Sequence, residues 1–389
     1  MNLSRRITWG FVLFWMGMGA LHALAQGSLT PPIGPPQPTM KTLQQVEPRT
    51  AITNIPFTIS QPGSYYLATN LTATTVDEGI SISSGDVTID LMGFTLDGDG
   101  TGTVGILENG TYKNVKVSNG SVIQWTEHGL YCPGPNGTFD QVVSRENAHG
   151  FVAGDQARFT SCAAISNVML SSICYGFSFG NGGMIQDSMA IGNTGDTHGY
   201  GIYGGNNAQV LRCQVRQNSG ATVYGILVET NSLVSDCIVE ANGLSDKGNG
   251  IKIEGGGSVL RCQVRNNGTD SVNNGIYLEG FGGSVLDCMV IDNSGRGILV
   301  DDQCLVRGNT CNGHKIGIYA GGFRNRIENN LCVSNTSSGI YVYSIYSNNM
   351  VVGNFAADNG NDYSVSTHNL MGPETSVMTN HPWANFSVP

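Results

Sequence analysis

The chain contains few charged residues, and the basic ones are the scarcer kind. Asp, Glu, Lys and Arg make up 12% of its 389 residues, about half the fraction typical of soluble proteins. The charged helix formers of coiled coils and helical bundles are therefore largely missing, which excludes these architectures. The 19 basic residues are outnumbered by 29 acidic ones, so the formal net charge is -10. Because phosphate binding depends on clustered Lys and Arg, we predict no nucleic-acid partner.

Long hydrophobic runs are absent beyond the N-terminus. There, two arginines precede an apolar run that ends at Leu21, and the small-x-small triplet from Ala23 to Ala25 follows. This pattern predicts a signal peptide over residues 1–25, and the run is shorter than the roughly 20 residues that a membrane span needs. We therefore predict an exported protein (periplasmic, cell-surface or secreted) with no membrane span. Residues 26–50 are rich in proline, which predicts an extended linker.

Glycine is abundant, and much of it recurs at a regular period. A Gly followed by Ile, Leu or Phe returns every 20 to 26 residues from Gly79 to Gly339. The residues between show strand-like alternation and no helical pattern, which predicts a parallel β-solenoid. The fold class is therefore all-β, a single-stranded parallel β-helix of about twelve coils over residues 79–359. Residues 51–78 and 360–389 are expected to cap its ends, because an open end exposes strand edges.

Cysteines and asparagines fall into columns of this repeat. One column holds five of the ten cysteines, with a serine in the gap: Cys162, Ser188, Cys213, Cys237, Cys262 and Cys288. Stacked strands separate these side chains by about 4.8 Å, whereas the Cβ atoms of a relaxed disulfide lie about 3.8 Å apart. We expect buried free thiols here, and one bridge among the other cysteines stays open. The second column predicts a structural amide ladder at a turn: Asn167, Asn193, Asn218, Asn242, Asn267 and Asn293.

A further column alternates in charge, and we expect it to fix the register of the strands because opposite charges attract across neighbouring strands. Its predicted members are Asp187, Arg212, Asp236, Arg261, Asp287, Arg307 and Glu328. No Cys or His spacing in the chain indicates a zinc or copper site.

These repeats resemble those of the right-handed parallel β-helix, the pectate-lyase superfold, and in particular the repeats of NosD-like and carbohydrate-binding proteins. The segments from Gln61 to Tyr66 and from Val87 to Phe94 are similar to the opening of many exported bacterial β-helix proteins. The resemblance implies a right-handed helix and a polysaccharide or cell-surface glycan as the partner. It carries over no activity, because this superfold includes lyases, hydrolases, epimerases and non-catalytic binders.

An acidic side chain returns four residues after the repeat glycine on four successive coils: Glu229, Glu254, Glu279 and Asp301. Two like charges about 4.8 Å apart repel by about 0.9 kcal/mol even in water, so such a column calls for a counterion. One interpretation is a Ca²⁺ site, although Ca²⁺ takes six to eight oxygen ligands. The others are a patch for a cationic substrate and a solvated face that tolerates the repulsion.

The position before the repeat glycine carries His or Tyr on successive coils and then Asn and Arg: His128, His149, Tyr175, Tyr200, Tyr224, Asn249, Asn274 and Arg296. Such a column is suited to lining a sugar groove, in which His128 and His149 are the candidate acid–base residues and Arg296 a candidate substrate contact. The alternative is a stack that lines the interior or a turn, since aromatic neighbours also stabilise sheets.

Tyrosines also recur between the two apolar residues of the same strand, and Tyr203, Tyr277, Tyr319 and Tyr341 are the candidate sugar contacts. Outward tyrosines suit a glycan platform and are also ordinary on sheets. Lys252 takes this position on one coil. Its place beside Tyr277 resembles the cation and Tyr of β-elimination, in which a base removes a proton beside a carboxylate.

Asp301 and Asp302 are expected to lie near His314 on the next coil. The adjacent carboxylates resemble the Asp-Asp element of polygalacturonases, which hydrolyse glycosides with paired carboxyl groups. The rest of that family's pattern is missing from the chain.

Two functions are consistent with this sequence. One is a secreted, polysaccharide-directed enzyme, lyase-like or hydrolase-like, that acts on an extended glycan. The other is a non-catalytic surface or periplasmic binding module. The sequence indicates no oligomeric state.

Overall fold

A computed structural model describes residues 46–243, 247–377 and 379–388. The predicted signal peptide and almost all of the predicted linker lie outside the described residues. The unit that begins at Arg49 holds all the strands given below. Within the described residues, no helix has the length and hydrophobicity needed to cross a membrane.

One sheet of this unit has 14 strands, each paired in parallel with the strand one coil further along the chain. Its strands are Phe57–Ile59, Ile80–Ile82, Val104–Glu108, His128–Cys132, His149–Ala153, Ile173–Phe179, His198–Gly204, Thr222–Val228, Lys247–Glu254, Asn274–Phe281, Arg296–Asp302, Ile316–Ala320, Ser338–Val342 and Asn361–Ser364.

The remaining strands form a 28-stranded parallel sheet and one two-stranded sheet, Val168–Met169 with Thr194–Gly195. The 28 strands are Thr50–Ile52, Gly63–Leu67, Leu71–Thr72, Val87–Asp90, Thr95–Asp97, Lys116–Ile123, Thr138–Arg145, Arg158–Thr160, Ala163–Ile165, Met184–Gln186, Met189–Ile191, Gln209–Leu211, Gln214–Arg216, Ser232–Ser235, Ile238–Glu240, Gly257–Leu260, Gln263–Arg265, Ser284–Leu286, Met289–Ile291, Leu305–Arg307, Thr310–Asn312, Arg326–Glu328, Leu331–Val333, Met350–Val352, Phe355–Ala357, Leu370–Met371, Glu374–Thr375 and Asn385–Val388.

The register of the 14-stranded sheet follows the Gly-Ile repeat. Ile226 pairs with Ile251, and Ile251 pairs with Ile276, so equivalent residues stack from coil to coil. The predicted single-stranded parallel β-helix is confirmed, and the 14 strands are joined by 13 turns of the chain. The sheet begins at Phe57–Ile59 and ends at Asn361–Ser364. Coil stacking therefore extends into both of the segments expected to be caps.

The core fills the inside of the coils with branched and aromatic side chains. Isoleucines that follow the repeat glycines, such as Ile226 and Ile251, are fully buried. Phenylalanines stack in the interior as well, with the rings of Phe151 and Phe177 4.7 Å apart and nearly parallel. Burial of this kind supplies most of the favourable free energy of folding.

The repeat glycine is required by the close approach of neighbouring groups. A Cβ atom on Gly225 would lie 2.7 Å from the carbonyl oxygen of Gly250 and 2.7 Å from Cγ1 of Val239. It would also lie 2.9 Å from Nδ2 of Asn242. Any side chain at this position would collide with the next coil and with the asparagine column, which explains why the glycine recurs with the period.

The asparagine column forms a buried amide ladder. In Asn193, the backbone N–H and the side-chain Nδ2 both donate to Oδ1 of Asn218, over 3.0 and 2.9 Å, and Nδ2 also donates to the carbonyl of Ala164 over 3.1 Å. Both side chains are fully buried. Each asparagine amide thus pairs with backbone N–H and carbonyl groups at the turn of the preceding coils.

The cysteine column follows the same logic with sulfur in place of the amide. The backbone N–H of Cys213 donates to Sγ of Cys237 over 3.4 Å, and Sγ of Cys213 donates to the carbonyl of Leu211 over 3.3 Å. All ten cysteines are free and buried. The expected thiols are confirmed, and no disulfide joins the cysteines outside the column.

The charged column was predicted correctly only in part. Arg212 pairs with Asp187 and Arg261 with Asp236, both across one coil. Arg307 and Glu328 are wrong as members: Arg307 pairs in register with Leu286 and with Glu328, so both lie one position before the column. The shorter coils in this region shift the spacing on which the prediction depended.

Candidate functional site

The outer face of the 14-stranded sheet brings the sequence-predicted tyrosines, Lys252 and the acidic column onto one surface. Along the strand Lys247–Glu254, Ile251 and Ile253 are buried, whereas Lys252 and Glu254 alternate with them and lie on the outside. The residue before the repeat glycine lies on the same surface. We call the ring-bearing residues of this surface the aromatic strip. They are His128, Tyr131, His149, Tyr175, Tyr200, Tyr203, Tyr224, Tyr277, Tyr319 and Tyr341.

The column before the repeat glycine is a continuous stack of five rings. The centroid distances are 4.6 Å for His128–His149, 5.7 Å for His149–Tyr175, 5.2 Å for Tyr175–Tyr200 and 5.5 Å for Tyr200–Tyr224. The interplanar angles are between 9° and 29°. The three tyrosines are partly exposed on the outer face, so they do not form an interior stack, whereas His149 is only 9% exposed. This stack offers ring area to a ligand that follows the helix axis.

The second tyrosine column packs against this stack. The ring of Tyr203 lies 5.8 Å from those of Tyr175 and Tyr200 and is tilted relative to both. Further along the helix, Tyr319 and Tyr341 stack at 5.1 Å. The two columns together form one aromatic surface bordered by tyrosine hydroxyls, which suits contact with an amphipathic ligand.

Lys252 is held between two members of the acidic column. Its Nζ lies 2.8 Å from Oε1 of Glu254 and 2.9 Å from Oε2 of Glu279, and its side chain is only 12% exposed. It also lies 5.8 Å from the ring centroid of Tyr224 and 5.6 Å from that of Tyr277. Burial opposes the charge, but the hydrogen bonds from Lys252 to Glu254 and Glu279 raise its pKa above the ordinary value. The ammonium group therefore stays charged.

The other two acidic residues are bound by neutral donors. Glu229 accepts hydrogen bonds from the hydroxyl of Tyr203 over 2.7 Å and from Nδ2 of Asn206 over 3.0 Å. Asp301 accepts hydrogen bonds from the hydroxyl of Tyr277 over 3.4 Å and from the backbone N–H of Gly280 over 3.1 Å.

The geometry does not support the expected calcium site at Glu229, Glu254, Glu279 and Asp301. Across residues 46–243, 247–377 and 379–388, no group of three or more His, Cys, Asp or Glu side chains is arranged to hold a metal ion. The counterion of Glu254 and Glu279 is Lys252. The sequence placed these residues on one face but gave no sign that the lysine between them would neutralise them.

Asp301 and Asp302 are bound to different coils. Asp301 accepts hydrogen bonds from the preceding coil, at Tyr277 and Gly280, whereas Oδ1 of Asp302 accepts the backbone N–H of Phe323 over 2.6 Å on the following coil. Burial raises the pKa of Asp301 above its ordinary value, although these hydrogen bonds oppose the shift.

His314 is not part of this surface, which corrects the expectation that it lies near the two aspartates. Its side chain is 1% exposed and occupies a place in the interior amide ladder. Nδ1 accepts the backbone N–H of Asn293 over 3.1 Å, and Nε2 lies 3.0 Å from the carbonyl of Val290. A side chain fixed in this way cannot reach a substrate.

His128 and His149 lie at the end of the strip nearest the N-terminus. A cleft of about 410 Å³ opens beside His128, with Glu78, Glu127 and Tyr131 in its wall. Burial lowers the pKa of both imidazoles to about 4, and for His128 the neighbouring His149 adds to the effect. Both are therefore neutral at pH 7. Nδ1 of His149 accepts the backbone N–H of Tyr175 over 3.3 Å, which leaves the ring proton on Nε2.

Arg296 extends the strip toward the C-terminus, because its guanidinium lies 4.5 Å from the ring centroid of Tyr319. The period had already placed Tyr175, Tyr200 and Tyr224 in the column of His128 that is suited to lining a sugar groove, and the three tyrosines lie on this surface. Asn206 was missed, since nothing in its spacing indicates the contact with Glu229.

The region from 224 to 380 matches the family model described as "Periplasmic copper-binding protein (NosD)", in agreement with the resemblance of the repeats. This match covers less than half of the chain. No curated protein matches the chain.

Solved structures with a similar fold share little sequence with this chain. The periplasmic alginate epimerase AlgG is 13% identical, with 85% of this chain and 73% of AlgG covered and a TM-score of 0.41. The A-module of the Azotobacter vinelandii mannuronan C-5 epimerase AlgE6 is 14% identical, with 84% and 91% covered and a TM-score of 0.41. Pectate lyase Pel9A is 14% identical, with 80% and 68% covered and a TM-score of 0.36. Likenesses of this size give no information about what this chain binds.

Proposed function

We propose that this chain is an exported, non-catalytic β-helix that binds an extended glycan along the aromatic strip. The glycan lies parallel to the helix axis, so that successive sugars contact successive coils. Tyr203, Tyr277, Tyr319, Tyr341 and Arg296 contribute contacts along its length.

The observation that carries this proposal is the five-ring stack from His128 to Tyr224. Stacked rings one coil apart, four of the five partly exposed, give a repeating apolar surface bordered by hydroxyls and carboxylates. Ligand sites combine an apolar lining with a few placed polar groups. An extended polymer with apolar ring faces and a hydroxylated rim matches a surface that repeats in this way.

The candidate catalytic groups support binding better than turnover. A lyase requires a base near neutral pH, but Lys252 is kept charged by Glu254 and Glu279. The pKa of about 4 makes His128 and His149 weak bases. His314 lies in the interior.

A binding titration with a panel of neutral and acidic glycans tests the proposal. Substitution of Tyr200→Ala removes the middle of the stack and is expected to weaken binding about threefold to tenfold, the usual worth of one aromatic contact. The matched control is Phe355→Ala, which removes a 40% exposed ring from the other sheet. Equal affinity for Tyr200→Ala and the unaltered protein would contradict the proposal.

A second candidate function, glycoside hydrolysis, has one observation in its favour. The hydroxyl of Tyr277 lies 3.4 Å from Asp301 and 3.5 Å from Glu279, and burial raises the pKa of Asp301. A pair of nearby carboxyl groups, one of which acts as the acid, is what this reaction uses. New reducing ends that disappear with Asp301→Asn and persist with Asp302→Asn would favour it.

A further inference from the structure

The charges along the aromatic strip are distributed unevenly. Four outward carboxyl groups follow one another on successive coils, at Glu229, Glu254, Glu279 and Asp301. In the columns that make up the strip, the cations beside them are Lys252 and Arg296. The middle of the strip therefore carries an excess of negative charge.

Lys252 is not free to receive an anionic ligand, and Arg296 lies outside the middle of the strip. Two of the three N–H donors of Lys252 are directed at Glu254 and Glu279, and 12% of its side chain is exposed. Arg296 lies over the ring of Tyr319, two coils beyond Lys252. A polymer with a carboxylate on every sugar would meet no available cation over the coils between Tyr203 and Tyr277.

Glu229, like Asp301, has no cationic partner among the described residues. Its partners are the neutral donors Tyr203 and Asn206, and it takes part in no ion pair within the described ranges. A ligand carboxylate placed on Tyr203 would lie beside this charge. At a partly dehydrated surface, two such charges repel by more than they do in water.

From this arrangement we infer that the aromatic strip selects a neutral glycan and excludes polyuronates. The inference rests on the proposed function and names its ligand class. Carboxylates accept strong hydrogen bonds from hydroxyl donors, so Glu229, Glu254 and Glu279 are complementary to the hydroxyl rim of a neutral sugar chain. The rings of the strip supply the apolar contact area, and the same carboxylates repel uronate groups.

A comparison at constant backbone tests this inference. The ligands are one oligogalacturonate with its carboxyl groups free, the same chain methyl-esterified, and neutral β-glucan and xylan oligosaccharides of equal length. Calorimetric titration at low salt is expected to show binding of neutral chains at least about tenfold tighter than the free acid. A higher salt concentration should reduce this difference in affinity, because it screens the repulsion between the carboxylates of the strip and those of the ligand.

A charge variant provides the second arm. Glu229→Gln keeps an acceptor in place but removes the charge, and we expect it to raise the affinity for the free acid about threefold to fivefold. The matched control is Glu374→Gln, an exposed glutamate on the other sheet, which should change nothing.

The possible outcomes separate the two proposals. Free acid bound as tightly as the esterified or neutral chains at low salt would overturn the inference and leave the proposed function standing. Binding of no glycan at all would overturn the proposed function, and the inference with it. If Glu229→Gln fails to fold, the salt dependence of glycan binding by the unaltered protein still tests the inference.

Discussion

The imidazole of His314 lies one coil above Asn293 and makes the hydrogen bonds that an asparagine amide makes elsewhere in the ladder. Nδ1 accepts the backbone N–H of Asn293 over 3.1 Å, as Oδ1 of Asn293 accepts that of Asn267 over 3.0 Å. Nε2 faces the carbonyl of Val290 over 3.0 Å, as Nδ2 of Asn293 faces that of Val264 over 2.9 Å. Nδ1 also lies 3.0 Å from the carbonyl oxygen of Asn293. The two ring nitrogens thus take the places of Oδ1 and Nδ2, which makes the histidine a substitute for asparagine.

Replacing His314 by asparagine should therefore preserve the fold, whereas alanine should not. His314→Ala leaves the N–H of Asn293 and the carbonyl of Val290 unpaired in the interior, at a cost of about 1–3 kcal/mol. We expect the free energy of unfolding of His314→Asn to lie within about 1 kcal/mol of that of the unaltered protein. Denaturant unfolding at pH 7 measures both. A His314→Asn variant as unstable as His314→Ala would contradict the ladder role.

The same pair of variants gives a pH test. Burial lowers the pKa of His314 below its ordinary value of 6.5, although hydrogen bonds oppose the shift. The unfolded chain then binds a proton that the folded chain excludes, so stability falls as the pH drops below about 6.5. The melting temperature of His314→Asn should fall less between pH 7 and pH 5 than that of the unaltered protein. His368→Asn, an exposed site, is the control and should follow the unaltered protein.

Protonation of His128 and His149 should set the lowest pH at which the aromatic strip binds a glycan. Both rings are neutral above their pKa of about 4, and their centroids are 4.6 Å apart. Glycan binding is expected to be flat from pH 8 to pH 5 and to weaken as the pH approaches 4, where two adjacent charges begin to form. Binding measured over this range checks the prediction. His149→Phe removes the neighbour that helps to lower the pKa of His128, so it should shift the loss to higher pH. A midpoint near 6.5 would show that the imidazoles are not desolvated.

Lys252 should stabilise the surface because it separates two glutamates. Lys252→Met removes the ammonium group that lies 2.8 Å from Glu254 and 2.9 Å from Glu279. The two carboxylates then repel each other, and we expect a loss of about 1–2 kcal/mol, since the glutamates are partly exposed. Adding Glu254→Gln to this variant should recover part of the loss. Thermal melts of the three proteins measure the effect.

Calcium provides the complementary measurement for the same site. We expect millimolar Ca²⁺ to leave the melting temperature of the unaltered protein unchanged, because Lys252 already acts as the counterion. In Lys252→Met, the freed carboxylates should make the melting temperature sensitive to Ca²⁺. A calcium-dependent rise in the unaltered protein would restore the metal site that the sequence suggested.

Glu108 should limit stability at neutral pH. It is 1% exposed and shares an inward column with Ile82. Burial raises its pKa above the ordinary 4.5, although hydrogen bonds from the backbone of Gly134 and Tyr112 oppose the shift. The unfolded chain ionises first, so stability falls as the pH rises above about 4.5. Glu108→Gln should remove this slope and raise the free energy of unfolding at pH 7. Denaturant unfolding at pH 5 and pH 7 measures the effect, and the exposed Glu127→Gln serves as control.

Much of the fold and part of the site could be predicted from the sequence. The Gly-Ile period determines which residues stack, and the Gly225 contacts show why: no side chain fits between Gly250 and Asn242. For the same reason the tyrosine and carboxylate columns could be assigned to one face. A period gives the column of a residue but not the direction of a long side chain, so the bridge from Lys252 to Glu279 could not be predicted.

The errors have a physical origin in coil length. Spacings fall to 20–22 residues in the last coils, and Arg307 was assigned to the column of Asp287 although it pairs with Leu286. His314 was predicted to be catalytic because it follows Asp301 and Asp302 on the next coil. Its position, 21 residues after Asn293 and 21 before Asn335, was the available signal for the ladder.

The cysteine column should tolerate serine better than an apolar residue of similar shape. Sγ of Cys237 accepts the N–H of Cys213 over 3.4 Å and donates to the carbonyl of Ser235 over 3.2 Å. Two column positions earlier, Oγ of Ser188 makes the equivalent bonds: it accepts the N–H of Cys162 and donates to the carbonyl of Gln186. Cys237→Ser therefore keeps both hydrogen bonds and should lower the free energy of unfolding by less than about 1 kcal/mol. Cys237→Val leaves the buried N–H of Cys213 without an acceptor and should lower it by about 1–3 kcal/mol. Denaturant unfolding under reducing and non-reducing conditions compares them. If Cys237→Val is as stable as Cys237→Ser, the sulfur atoms stabilise the column by packing alone and not by hydrogen bonds.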